Sequence, residues 1–206
     1  MYFDTRDYES NWRNIYKLAI TFVQPRPIAL VSSMSPDGVR NLAPFSFYNM
    51  VSGNPPVVMF CPSYRRDSTE KDSLHNVEST GEFVVATVSE QIVERMNRCA
   101  YDYTPDVDEF EKSGLTPRPA SLVAPPLVAD SPANIECKLI EIKRFGTDPG
   151  AGNLVFGQIV AIHVDDTVLA DDGLPDPAQL QAIGRLGRWT YCKTTDIFDL
   201  PRPTQP

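Results

Sequence analysis

Ile28-Ala-Leu-Val-Ser-Ser33, then Ser35-Pro-Asp-Gly38, then Asn41-Leu-Ala-Pro-Phe-Ser-Phe-Tyr-Asn49 is an apolar run, a turn signal and a second extended segment. Branched and aliphatic residues in a short run favour a strand, and Pro-Asp-Gly reverses the chain tightly. Comparable runs recur at Val57–Cys61, Glu82–Val88, Ile135–Phe145 and Leu154–Val164. The 19 prolines are scattered, which fits many short elements rather than long helices. Together these features predict a mainly β chain with α+β elements, built as an antiparallel barrel or sandwich with short helical insertions.

The insertions have their own signals. Asp67-Ser-Thr69 precedes an expected helix over Glu70–Thr80, with Leu74 and Val77 on one face and Gly81 as a stop. Thr69 and Asp72 have capping-box spacing. Ser89 is expected to cap a helix over Glu90–Asn97, and Pro105–Ser113 and Pro177–Ile183 read as further short helices. Gly114–Pro132 holds five prolines and reads as an ordered loop.

At 206 residues, 42% of them hydrophobic, the chain suits one domain over 1–206 with a real core. The net charge of −8, from 27 acidic and 19 basic residues, argues against nucleic acid as the main partner. The start, Met1-Tyr-Phe-Asp-Thr-Arg, lacks a signal pattern, and there is no long apolar run. A cytoplasmic protein that does not enter the membrane is expected. Cys61, Cys99, Cys137 and Cys192 are far apart, with no Cys-x-x-Cys pair, so neither a metal site nor a dithiol motif is signalled. With only His75 and His163, a histidine-built metal site or hydrolase triad has little material.

Residues 41–64 carry no charge, in a chain where 22% of residues are charged, and they are closed by Arg40 and by Arg65 and Arg66. Neutral polar side chains among aromatics and prolines suit the wall of a site for a flat, polar, aromatic ligand. Pro44–Tyr48 also reads as a plain strand, with Phe45 and Phe47 in the core and Ser46 outside. Lys71-Asp72-Ser73 falls in the first turn of the expected helix, close behind Arg65 and Arg66. Helix starts offer free N–H groups that suit a phosphate, but ordinary capped, solvated starts are abundant.

Order and spacing of motifs then carry a resemblance. Pro25-Arg-Pro-Ile-Ala-Leu-Val-Ser-Ser33, Asp37-Gly38, Asn41–Asn49 and Pro55-Pro56 lead to Lys71-Asp-Ser73, Asn76 and Thr80-Gly-Glu-Phe-Val-Val85. Glu109-Phe110, Gly114-Leu115-Thr116, Ser131-Pro132, Glu136-Cys137, Gly157 with His163, Gly184-Arg-Leu-Gly187 and Tyr191 follow. Over roughly residues 15–203 the chain closely resembles the flavin reductase-like, FMN-binding split-barrel family, in its flavoredoxin-type branch. The resemblance implies a six-stranded antiparallel split barrel, usually a homodimer, binding FMN. It implies that Ser33, Asn41, Ala43, Ser46, Phe47 and Asn49 hold the flavin ring and ribityl chain. Lys71, Asp72 and Ser73, with Arg65 nearby, would hold the phosphate, and Tyr191 would line the site. It implies an oxidoreductase passing electrons from NADH or NADPH through FMN, with His163 and Arg185 near the reacting groups. A protein partner as electron donor, or a non-catalytic flavin-binding dimer, are the alternatives. Trp189 is expected in core or interface packing. Three positions depart from the family's pattern: Ser73 stands where threonine is common, Ala86 where asparagine is, and Arg188 where a second glycine is.

Overall fold

In the computed structural model, residues 2–203 are described; Met1 and residues 204–206 of the expected 1–206 domain lie outside them. The chain opens with helix α1 (Tyr8–Ala19) and continues through strands β1 (Ala29–Met34), β2 (Arg40–Phe45), β3 (Tyr48–Gly53) and β4 (Pro56–Phe60). Helix α2 (Asp72–Thr80), strand β5 (Glu82–Thr87), and helices α3 (Val93–Arg98) and α4 (Glu109–Ser113) follow. The short pair β6 (Pro117–Arg118) and β7 (Leu127–Val128) precedes two long strands, β8 (Ala133–Arg144) and β9 (Asn153–Val164). Helix α5 (Pro177–Leu180), β10 (Ile183–Arg185) and β11 (Tyr191–Lys193) complete it.

The main sheet is antiparallel in the order β2-β1-β5-β8-β9-β4-β3. It has seven strands where six were expected. The extra strand arises because Pro44–Tyr48 is not one strand: β2 ends at Phe45, the chain turns over Ser46 and Phe47, and β3 starts at Tyr48. Ser46 and Phe47 are thereby freed from the pleat.

Strand β1 explains its own unbroken apolar run. Successive side chains point to opposite faces, and both faces are covered. Ala29 and Val31 join one core with Val58, Phe60, Leu74, Val77, Phe83, Val85, Cys137 and Val155. Leu30 joins another with Leu42, Ala86, Ile92, Met96, Phe110 and Val128. The first core packs α2 against the barrel, and the second packs α3 and α4.

Several helix expectations need correction. The N-cap of α2 is Lys71, without a side-chain cap, so Thr69 and Asp72 form no capping box. Thr69 instead donates its hydroxyl to Asp67 at 2.6 Å, and Asp72 pairs with Arg65 at 2.6 Å. Helix α3 starts later than expected, with Ile92 at its N-cap; Ser89 bridges to Ala182 instead. Helix α4 is only Glu109–Ser113, capped by Asp108, which accepts from the Phe110 N–H. Helix α5 stops at Leu180, because Ile183 begins β10. Gly81 and Gly114 end their helices in the left-handed conformation, at φ 74° each, as a glycine stop requires. The 114–132 loop contains the β6–β7 pair. The four cysteines are unpaired, and no described helix is long and apolar enough to cross a membrane.

Candidate functional site

The register of β1 and β2 sets Ser33 opposite Asn41. Asn41 Nδ2 donates to Ser33 Oγ at 3.0 Å and to Ser73 Oγ at 2.9 Å, while Asn76 Nδ2 donates to Ser33 Oγ at 3.3 Å. This buried network ties β1, β2 and the first turn of α2 into one unit. Ser73 Oγ accepts from Asn41, so its O–H remains free to donate outward.

Three communicating clefts open above that unit. One, of about 1040 Å³, runs between α1 and the β2–β3 turn and ends at Arg65, Arg66 and Lys71. A small one of about 100 Å³ is walled by Asn41, Ala43, Lys71, Asp72, Ser73 and Glu109, among others. The third, of about 1280 Å³, extends along β10 and β11 past Arg185, Trp189 and Tyr191. All three share Pro44 and Phe45, so one trough passes over an uncharged wall.

Charge is sorted along the trough. At the α2 end Lys71 pairs with the exposed carboxylate of Asp102, and Arg65 with Asp72. An acidic side chain thus sits on Lys71. The third cleft is lined by Lys17, Arg26, Arg66, Arg185 and Arg188 and by no Asp or Glu. None of these five forms a salt bridge among the described residues. In a chain of net charge −8 this is a local cationic field aimed into a cleft. Arg26, only 7% exposed, spends its guanidinium on the Ile20, Val23 and Leu186 carbonyls, which order it without neutralising it. Burial, and to a smaller extent the nearby Arg185 charge, holds its pKa below the ordinary arginine value. Arg185 lies 4.3 Å from the Tyr191 ring centroid, a cation–π contact, and donates to the Arg188 carbonyl at 2.5 Å.

Of the expected site residues, Asn41, Ala43, Ser46, Phe47, Arg65, Lys71, Asp72, Ser73, Arg185 and Tyr191 all line the trough. Ser33 stands behind it, fully buried, and acts on it through Asn41. Asn49 does not line it: on β3, its Oδ1 accepts from the Met50 N–H at 2.9 Å. His163 does not line it within the chain either. Its Nε2 lies 2.6 Å from Oε1 of Glu136, a fully buried carboxylate that also accepts from the Ser121 and Leu122 N–H groups. Trp189 is not in the core; it is 90% exposed at the trough's mouth.

Three contributors were not picked out from sequence. Helix α1 places Tyr8, Trp12, Ile15 and Tyr16 along the first cleft, and Tyr16 packs edge-to-face on Phe47 at 6.2 Å. The spacing i, i+4, i+7, i+8 was a legible signal for that face. Arg26 and Glu109 carried no such signal.

Comparison with known proteins agrees with this geometry. Residues 23–178, well over half the chain, match the family model described as "Flavin reductase like domain". An uncharacterised protein of Aquifex aeolicus is 40% identical over 185 residues, covering 90% of this chain and 92% of its own length. The crystal structure of nitrilotriacetate monooxygenase component B from Bacillus cereus superposes with a TM-score of 0.89 at 31% identity, covering 97% of this chain and 98% of that one. The 2-nitrobenzoate 2-nitroreductase of Pseudomonas fluorescens gives 0.87 at 33% identity, covering 99% and 97%. With a split-barrel sheet, a neutral wall and a basic helix start in one trough, and a family match spanning most of them, the chain belongs to the flavin reductase-like domain family.

Proposed function

We propose that this chain binds FMN in the trough and works as an NAD(P)H-dependent flavin oxidoreductase. The observation that carries the reading is the trough itself, with a neutral aromatic wall in the middle and cations at both ends. The residues present fit FMN. Lys71 holds an exchangeable acidic partner, Ser73 has a free O–H at the start of α2, and Pro44–Phe47 offer an uncharged surface for a flat ring.

When bound, FMN supplies a ring that accepts a hydride. Hydride transfer needs no protein acid or base, so the work of the chain is positioning and charge. Lys71, Arg65 and Ser73 hold the phosphate end. Arg26, Arg185 and Arg188 attract the anionic groups of a nicotinamide dinucleotide received in the same trough. Trp12 and Tyr16 flank the wall, Tyr16 packed on Phe47, where they would shield one side of a bound ring. His163 fixes the 114–132 loop through Glu136. The reading extends to a cytoplasmic homodimer, supported by the exposed apolar side chains of Phe22, Met50, Val51, Ile140 and Ile162.

The test is anaerobic mixing of the FMN-loaded protein with NADH and with NADPH. Rapid loss of oxidised-flavin absorbance with at least one of them is expected. A stable yellow solution with both would leave a protein electron donor as the better reading.

Lys71→Ala is expected to weaken FMN by about 1–3 kcal/mol, the range for losing a charge-assisted contact. The effect on riboflavin, which lacks the phosphate, is expected to be small. Fluorescence titration of both flavins checks this, and equal losses would move Lys71 off the phosphate.

A further inference from the structure

The smallest cleft holds one carboxyl group that the proposed function leaves unused. Glu109 opens α4, is 5% exposed, and lines the same walls as Asn41, Lys71 and Ser73. Its Oε2 accepts from the Leu42 N–H at 2.9 Å, and no hydrogen bond to its Oε1 is formed among the described residues. No Lys or Arg pairs with it there, because the cations around it are engaged elsewhere: Arg40 with Asp108, Arg65 with Asp72, and Lys71 with Asp102.

The other titratable groups facing it are known. Asp72 and Lys71 approach from α2, and Arg65 from the segment before it. Asp108 precedes it on its own element, paired with Arg40 of β2. The 99–103 segment contributes Cys99, Tyr101, Asp102 and Tyr103. Burial pushes Glu109 up to about 7; the Leu42 N–H opposes this, and the Asp72 and Asp108 charges add to it. Burial likewise pushes the Cys99 thiol up to about 11, so Cys99 keeps its proton between pH 6.5 and 8.

We propose that Glu109 is a proton-sharing ligand of the phosphate group bound at the start of α2. In its uncharged form the carboxyl donates an O–H hydrogen bond from inside the cleft to a phosphate oxygen. Once ionised it has no hydrogen to give and repels the same oxygen. The proposal rests on the FMN reading and adds to it a titratable residue that makes cofactor capture depend on pH.

The sign follows from linkage. A bound phosphate favours the protonated carboxyl, so affinity is highest at low pH and falls as pH rises through about 7. The second phosphate ionisation lies near pH 6 and acts the other way, since Lys71 prefers the dianion. A fall in affinity on going alkaline therefore belongs to the protein.

The experiment is fluorescence titration with FMN and with riboflavin, from pH 6.5 to 8, on the whole wild-type chain and on Glu109→Gln. Gln keeps the shape, accepts from Leu42 and can donate at any pH. For wild type, FMN dissociation constants are expected to rise about tenfold across the range, with riboflavin unchanged. In E109Q the FMN constant is expected to stay near the wild-type low-pH value, within about twofold throughout. The same FMN slope in both proteins would overturn the proposal while leaving the FMN reading intact. Should E109Q fail to fold, equal pH slopes for FMN and riboflavin on wild type alone would overturn it too. No binding of FMN at any pH would overturn both readings together.

Discussion

Glu136→Ala is expected to destabilise the protein by about 2–4 kcal/mol, measured by urea unfolding at neutral pH. The carboxylate is fully buried, yet it meets three donors: the Ser121 N–H at 2.8 Å, the Leu122 N–H at 2.6 Å and His163 at 2.6 Å. Burial alone would raise its pKa. The Ser121 N–H, His163 and the Leu122 N–H outweigh that and hold the group below the ordinary carboxylate value. A carboxyl depressed on folding contributes stability above its unfolded pKa and loses it as pH falls through the folded one. The gap between wild type and E136A should therefore narrow as the medium becomes acidic. His163→Ala removes only one of the three donors, at a half-buried edge, and should destabilise by about 1 kcal/mol. Neither residue lines the trough, so FMN affinity should be unchanged in both variants. A large loss of FMN binding in H163A with normal stability would place His163 at the flavin after all.

That pair shows what kind of information sequence carries here. Strands β1, β5, β8 and β9 were legible because covering both faces, or one face and the partner strands, demands unbroken or alternating apolar residues. The Asn41–Phe47 and Lys71–Ser73 parts of the trough were legible because motif order was kept. The aromatic stripe of helix α1 was legible only as spacing and not as part of a core, because none of its residues is buried and the stripe faces a cleft. The start of α2 was misplaced because Arg65 claims Asp72 and Asp67 claims Thr69, contacts that local spacing does not encode. Arg185 was legible through the resemblance and Arg66 through its place beside the neutral stretch, but the gathering of five unpaired cations in one cleft was not, because they are scattered between Lys17 and Arg188 in the sequence. Only the fold gathers them; the paired backbone bonds of Arg26 with Arg185, at 2.9 and 2.8 Å, join two of the five. Arg188 also gives a physical sense to the expected glycine at its position: its φ of 57° lies in the left-handed region, where glycine is unpenalised.

Gly157→Ala tests the packing that sets the barrel's shape, and it should destabilise by about 3 kcal/mol. Gly157 lies mid-strand on β9, facing Leu139 of β8 on one side and Val58 of β4 on the other. An added Cβ would stand 2.2 Å from Cζ and 2.7 Å from Cε1 of Phe83, and 3.1 Å from the Cys137 Cβ. The Phe83 ring has nowhere to retreat. It is fully buried, and its centroid is 5.2 Å from that of Phe60, itself 5.2 Å from Phe45. Through this stack the clash would reach Phe45, which walls all three clefts, so FMN binding should weaken along with stability. The mechanism predicts a non-additive rescue. Phe83→Leu alone should destabilise by about 1–2 kcal/mol, but it removes the ring atoms the new methyl meets. In the double variant the two losses should fall short of their sum by at least about 1 kcal/mol. Strict additivity in urea unfolding would show that the methyl is accommodated by movement of β9, and the ring stack would then not be what fixes the wall of the site.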